Sequence, residues 1–219
     1  MIVLKRIAIA IAAICLSEPL TLYASESFQQ PQLKSMSDLK MQGIRRQTLD
    51  YSCGAAALSI LLTSYFGGNF SEEQILADIV YRLTKEEEAD RMQEGFSMLD
   101  LKQSAERLGY NATGIKLPID AAARLKGPVI ILLRPKNVRL HHFVVLKGVI
   151  AGHAFLADPA RGNLRLPLFE LAEQWQGETL VVGRDGFGLP EEHGLAPPQG
   201  SAVAPERDVT RALQRVPPP

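Results

Sequence analysis

Residues 53–68 read CGAAALSILLTSYFGG. Small or apolar side chains fill nearly every position as far as Leu62, so a helix formed here has no polar face and must be covered on most sides. Gly67 and Gly68 supply the stop, because glycine adopts the left-handed conformation that ends a helix without strain. The stretch therefore predicts a central helix, and the flanking sequence has to supply its cover.

Downstream, SEEQILADIVYRL (71–83) predicts a second helix. Ser71 and Gln74 fit a capping box, and Ile75, Ile79 and Leu83 fall on one face. TKEEEADRMQ (84–93) is densely charged and reads as a solvated helical extension or loop. SMLDLKQSAERLGY (97–110) predicts a third helix with Leu101, Ala105 and Leu108 inward and a stop at Gly109. NATGIKL (111–117) is a short extended piece and PIDAAARLKG (118–127) a short helix closed by Gly127. The pattern then changes. PVIILLRP (128–135), HHFVVLKGVI (141–150) and HAFLADP (153–159) are β-branched runs separated by turn residues. NLRLPLFELAEQW (163–175) includes a short helix, and ETLVVGR (178–184) is a last strand. Helices first and antiparallel strands later make an α+β domain, not a βαβ one.

The 219 residues suffice for one such domain with extensions, placed here at 43–187. Lys+Arg and Asp+Glu both total 24, a balance that speaks against a nucleic-acid partner. At the N-terminus, MIVLKR, the apolar run IAIAIAAICL (7–16) and a small residue at Ala24 follow the layout of a secretory signal peptide over 1–24. The run is short for a membrane span, which takes about 20 residues. A periplasmic protein is the expectation, with an uncleaved inner-membrane anchor as the alternative. Residues 25–42 read as a polar linker or loosely docked arm. From 188 the chain is rich in Pro and Gly and reads as a disordered tail over 188–219.

Cleavage after Ala24 would remove Cys15 and leave Cys53 as the sole cysteine. In an oxidising compartment an unpaired cysteine is a reactive thiol, an intermolecular partner or a buried structural residue. Its position at a helix start favours the first, because unpaired N–H groups and the positive end of the helix dipole gather there. Gly54 would let a substrate backbone approach closely. The Cys53 N–H and the side-chain amide of Gln47, six residues upstream, are candidate oxyanion donors. A thiolate also needs a histidine, and the histidine needs an orienting acceptor. His153 and His193 read as solvated turn and tail residues. His141 and His142 are adjacent on a strand and point to opposite faces. Both flanking parities are apolar, so periodicity does not choose between them.

Asp158 ends the following strand, where Asp before Pro is also a common turn residue. A hairpin centred on Ile150 would set residues 142 and 158 directly opposite. A two-residue Ala151-Gly152 turn would set Asp158 opposite Val145, and the His142–Asp158 pair would then need a bulge. No cofactor is implied. A metal site is disfavoured, because the two adjacent histidines diverge and no second cysteine accompanies them.

Together these residues resemble a known family, the bacteriocin-processing, double-glycine leader cysteine peptidases. Its pattern is a Gln, five residues, then Cys-Gly-x-x-x-Leu opening a helix; later come His-(Phe/Tyr)-Val-Val on a strand and an Asp-Pro sixteen residues beyond that His. Gln47, CGAAAL from Cys53, HFVVL from His142 and Asp158-Pro159 match it. GFSMLDLKQSAERLGY is similar to the family's middle helix and FELAEQWQGETLVV to its closing stretch. The resemblance implies a papain-like fold in which Cys53 is the nucleophile, His142 the general base and acid, Asp158 the orienting acceptor and Gln47 the oxyanion donor. His141 becomes a bystander. It also implies a peptide or protein substrate, with cleavage after Gly or another small residue.

Many members carry Asp immediately before the cysteine, where this chain has Ser52. The best-known members are domains of ABC exporters. No ATP-binding domain is expected here, and the signal segment points to a stand-alone exported relative. Such proteins resemble those encoded beside secretion machinery, functional-amyloid export included. The alternatives are a non-catalytic peptide-binding or chaperone-like module of a secretion system, and a thiol acyltransferase.

Overall fold

Helix α2 (Cys53–Ser64) lies at the centre of the computed structural model, with every residue from Cys53 to Leu62 buried. Its end is the predicted glycine stop. Gly67 takes φ +69°, and the Gly68 N–H donates to the Leu62 carbonyl at 2.9 Å. The structure describes residues 35–136 and 141–199; the signal segment 1–24, the linker before residue 35 and the tail from residue 200 lie outside the described residues.

Two helices cover α2. In α3 (Glu72–Val80), Ser71 and Gln74 form the predicted capping box and Ile75 and Ile79 are buried. In α5 (Met98–Arg107), Leu101 and Ala105 are buried. The charged stretch between them forms helix α4 (Lys85–Glu94), started by a Thr84–Glu87 capping box and burying no residue. It is braced to α5 by the Arg91–Asp100 ion pair at 2.6 Å. The segment read as a linker ends in a short helix, α1 (Met36–Lys40), which docks at the sheet edge. There the Asn163 side chain donates to the carbonyls of Lys40 and Gln42.

The strands are β1 (Asn111–Lys116), β2 (Val129–Leu133), β3 (His142–Ile150), β4 (His153–Asp158), β5 (Gly162–Pro167) and β6 (Trp175–Gly183). They make one antiparallel sheet in the order β1-β6-β2-β3-β4-β5. The α+β expectation holds. Strand β5 was hidden in the sequence, where its residues merged with the helix α6 (Leu168–Gln174) that follows. Both faces of the sheet are buried. Ile130, Phe143, Val145 and Ala157 pack with α2, α3 and α5. Ile131, Val144, Leu146 and Leu156 pack with Leu171 of α6 and with Ala122, in a 3₁₀ turn over Ile119–Arg124. Two covered faces explain why β3 is apolar at both parities.

The β3–β4 turn is the two-residue Ala151-Gly152 loop, both residues at positive φ, so the hairpin is not centred on Ile150. The pairing starts at Ile150↔His153 and would reach Asp158 at Val145, but the register shifts between Leu146 and Gly148. Beyond that bulge Val145 faces Ala157, and one further step sets Asp158 across from Val144. The extra residue thus moves Asp158 to the parity of His142 and away from that of His141.

The chain does not leave the domain at residue 188. Leu195 is fully buried, the Gly194 N–H donates to the Ser64 carbonyl at 2.9 Å, and His193 lies edge-on to Tyr65 with ring centroids 4.6 Å apart. Phe187 packs on Tyr65 and Phe66. A few apolar anchors suffice to hold a segment whose average composition is that of a loop. Among the described residues no helix is long and apolar enough to cross a membrane.

Candidate active site

The first turn of α2, the start of β3 and the end of β4 converge. Cys53 is the first residue of α2 and is 4% exposed. Its thiol lies 4.0 Å from the His141 carbonyl. His142, one residue on, turns its ring between Cys53 and Asp158, and its Nε2 is 2.8 Å from Asp158 Oδ1. That bond leaves Nδ1 as the ring nitrogen free to meet the thiol. His141 is exposed and lines the neighbouring cleft. The bulge described above is what separates the two histidines' roles in the architecture.

Asp158 has no exposed side-chain surface. A carboxylate in that position is costly unless its lone pairs are satisfied. Besides His142, it accepts the N–H groups of Ala160 (2.8 Å) and Arg161 (3.0 Å) and the Arg161 Nε–H (2.7 Å). Burial works against its charge, but His142 and Arg161 hold the carboxyl down at about 2. At His142, burial likewise opposes the charge, and is overcome by Asp158 and Cys53, which push the imidazole up to about 9. The signs follow. The raised His142 favours folding fully below its ordinary 6.5, and this is lost as pH rises through about 9. The lowered Asp158 favours folding above 3.8, and this is lost as pH falls through about 2.

Gln47 sits on the loop that leads into α2, and that loop is pinned from several directions. The Gln47 backbone N–H donates to the Pro159 carbonyl at 3.0 Å, tying it to the Asp158 turn. Thr48 donates its N–H and hydroxyl to the buried carboxylate of Glu72. The Gln47 side-chain Nε2 donates to the Leu49 carbonyl at 2.9 Å, while its Oε1 is buried without a partner. Sequence reasoning missed Arg161 and Glu72. Arg161 directly follows the Asp158-Pro159-Ala160 turn, a position from which a side chain can reach back, but Glu72 looked like an ordinary first-turn acid.

Gly54 proves to be a packing residue. A Cβ there would lie 3.1 Å from Leu101 and 3.2 Å from Phe143, so its small size lets α5 and β3 close on α2. A cleft of about 460 Å³ opens beside Cys53, walled by Phe96, Met98, Leu132, His141 and Phe143.

Comparison with known proteins fits this geometry. Residues 41–185 match the Peptidase C39 family. The chain is 32% identical over 156 residues to a Pseudomonas aeruginosa protein named probable functional amyloid protease FapD, covering 71% of this chain and 67% of that one. Its Pseudomonas fluorescens namesake is 30% identical over 155 residues, covering 71% and 66%. The match thus spans about two thirds of these relatives' length. Among solved structures, a double glycine motif protease from an AMS/PCAT transporter, crystallised with its leader peptide, superposes with a TM-score of 0.53 at 26% identity, over 64% of this chain and 90% of that one. The peptidase domain of Streptococcus ComA superposes with a TM-score of 0.55 at 20% identity, over 65% and 98%, a likeness of fold. The papain-like fold expected from the sequence is the fold observed.

Proposed function

The chain belongs to the Peptidase C39 family, and from that premise we propose that it is a periplasmic cysteine endopeptidase acting on a small exported protein or its leader. The observation that carries the reading is the imidazole of His142 set between the Cys53 thiol and a fully buried Asp158. A module that only bound peptides would have no use for a buried carboxylate aimed at a histidine beside a thiol. The names of the two Pseudomonas relatives support a substrate in functional-amyloid export.

In this reading His142 takes the thiol proton, and the Cys53 sulfur adds to the scissile carbonyl carbon, forming the S–C bond. The oxygen becomes an oxyanion, held by the Cys53 N–H at the open start of α2 and by the Gln47 amide. His142 then returns its proton to the departing amine as the C–N bond breaks. Water, deprotonated by His142, adds to the thioester, and the tetrahedral intermediate collapses to release the carboxylic acid and the thiol. Asp158 keeps the imidazole in one tautomer and orientation throughout. The cleft beside Cys53 selects Gly or another small residue before the cut in this reading.

Alkylation of Cys53 by iodoacetamide across pH, beside a His142→Ala variant, tests the reading. The wild type should alkylate rapidly near neutral pH. The variant should lose that reactivity together with peptide cleavage, cleavage falling about 10²- to 10⁴-fold. A wild-type thiol inert near neutrality, or a variant that alkylates and cleaves like wild type, would overturn it.

A further inference from the structure

A serine just ahead of a helix ordinarily turns its hydroxyl onto the N–H groups of the first turn. Ser71, Thr84 and Ser97 do so for α3, α4 and α5. Ser52 makes no such bond to α2. It is fully buried, and its hydroxyl points backwards into the loop. Ser52 Oγ donates to the Leu49 carbonyl at 2.8 Å and accepts the Leu49 N–H at 3.1 Å, while the Ser52 N–H also points at the Leu49 carbonyl, at 3.2 Å. The N–H and the carbonyl of Leu49 are thus both held by one residue.

That carbonyl is also the acceptor of the Gln47 side-chain amide. The contact decides which way the amide faces. Turned by half a rotation, Gln47 would set its Oε1 against the Leu49 oxygen, two acceptors with no proton between them. In the observed orientation one N–H is spent on Leu49 and the second remains to donate. The Leu49 carbonyl is the partner the structure gives this amide, whose Oε1 is buried without one. Because Ser52 spends its hydroxyl on Leu49, it does not cap the N–H groups of Gly54 and Ala55, the ones an N-cap hydroxyl reaches.

We propose that Ser52 is a positioning residue for the oxyanion site: through the Leu49 carbonyl it fixes the side-chain amide of Gln47. The proposal rests on the cysteine-peptidase reading above and adds to it a residue that touches neither substrate nor thiol. Its distinguishing property is that it matters only for reactions that build an oxyanion.

Two probes of the full chain separate those reactions. Iodoacetamide alkylates Cys53 by displacing iodide, with no carbonyl addition. A peptide aldehyde, acetyl-Leu-Gly-glycinal, is attacked at its carbonyl carbon; an S–C bond forms and the carbonyl oxygen takes up the charge and then a proton, giving a hemithioacetal. Ser52→Ala should leave the alkylation rate within about twofold of wild type and weaken aldehyde binding ~10-fold, a part of the 10²- to 10³-fold that a lost oxyanion donor costs. Ser52→Thr, which keeps the hydroxyl, should restore most of the binding and guards against misfolding as the explanation. Adding Gln47→Ala to Ser52→Ala should weaken binding no further than Gln47→Ala alone, because both act through one amide. Equal losses with both probes, unchanged aldehyde binding, or additive losses in the double variant would each overturn the proposal. A wild type inert to both probes would instead remove the peptidase reading on which it rests.

Discussion

Asp100 and Asp158 are buried aspartates of nearly the same make. Each has an arginine Nε–H on its carboxylate, 2.6 Å from Arg91 at Asp100 and 2.7 Å from Arg161 at Asp158. Each takes backbone N–H groups from its own turn, that of Ser97 at Asp100 and those of Ala160 and Arg161 at Asp158. At both, burial works against the charge and is more than offset by these partners. The telling difference is the side chain that each carboxylate serves. At Asp158 that is an imidazole that faces a thiol; at Asp100 the carboxylate caps α5 and braces α4. A buried, arginine-held carboxylate is thus a common structural device, and what turns one into a candidate catalytic group is the base it orients.

Replacing each carboxylate by its amide gives the largest contrast. Asp158→Asn keeps an acceptor for His142 and removes the charge that raises it. The alkaline limb of the rate, set by His142 at about 9, should fall toward 6.5, and kcat should drop about 10²-fold or more at pH 8. Asp100→Asn should leave that limb where it is. Its cost should appear in stability, about 1.5–3 kcal/mol for hydrogen bonds to a charged group, read as a lowered denaturant midpoint. If both variants moved the limb, or neither did, the two aspartates would not differ as their surroundings say.

How much of this could be read beforehand follows from the same residues. The unbroken apolar run after Cys53 announced a buried helix, and spacing matched by resemblance drew Gln47, His142 and Asp158 to it. The choice between His141 and His142 was not available from periodicity, because β3 is covered on both faces by Val145 on one side and Val144 on the other. It is made by one extra residue between Leu146 and Gly148, where the glycine inside the strand was the one local mark of a bulge. Ser52 was visible only as a departure from a pattern, since a serine before a helix looks like a cap until its hydroxyl is seen facing the other way. Beyond the boundary placed at 187, Leu195 is an isolated buried anchor that average composition conceals.

The smallest expected effect is that of Arg161→Ala, and it asks whether the arginine is as necessary at Asp158 as the backbone is. The Arg161 side chain is half-exposed, so water and salt screen its charge, and exposed pairs of this kind contribute about 0.2–1 kcal/mol. The variant still has the Ala160 N–H and the N–H of residue 161, both backbone donors, and the His142 Nε2 bond is not touched. Removing a cation from Asp158 raises its low pKa, so acid unfolding should begin at a higher pH than in wild type. The same removal leaves more of the carboxylate's field on His142, so the alkaline limb should stay near 9 or move slightly up, opposite in sign to Asp158→Asn. Both displacements should shrink as ionic strength rises, because the charge removed is a screened one. A limb that instead falls toward 6.5 would mean that Arg161 holds the carboxylate in place for His142, and the backbone of the Asp158 turn would then no longer be the part that secures the pair.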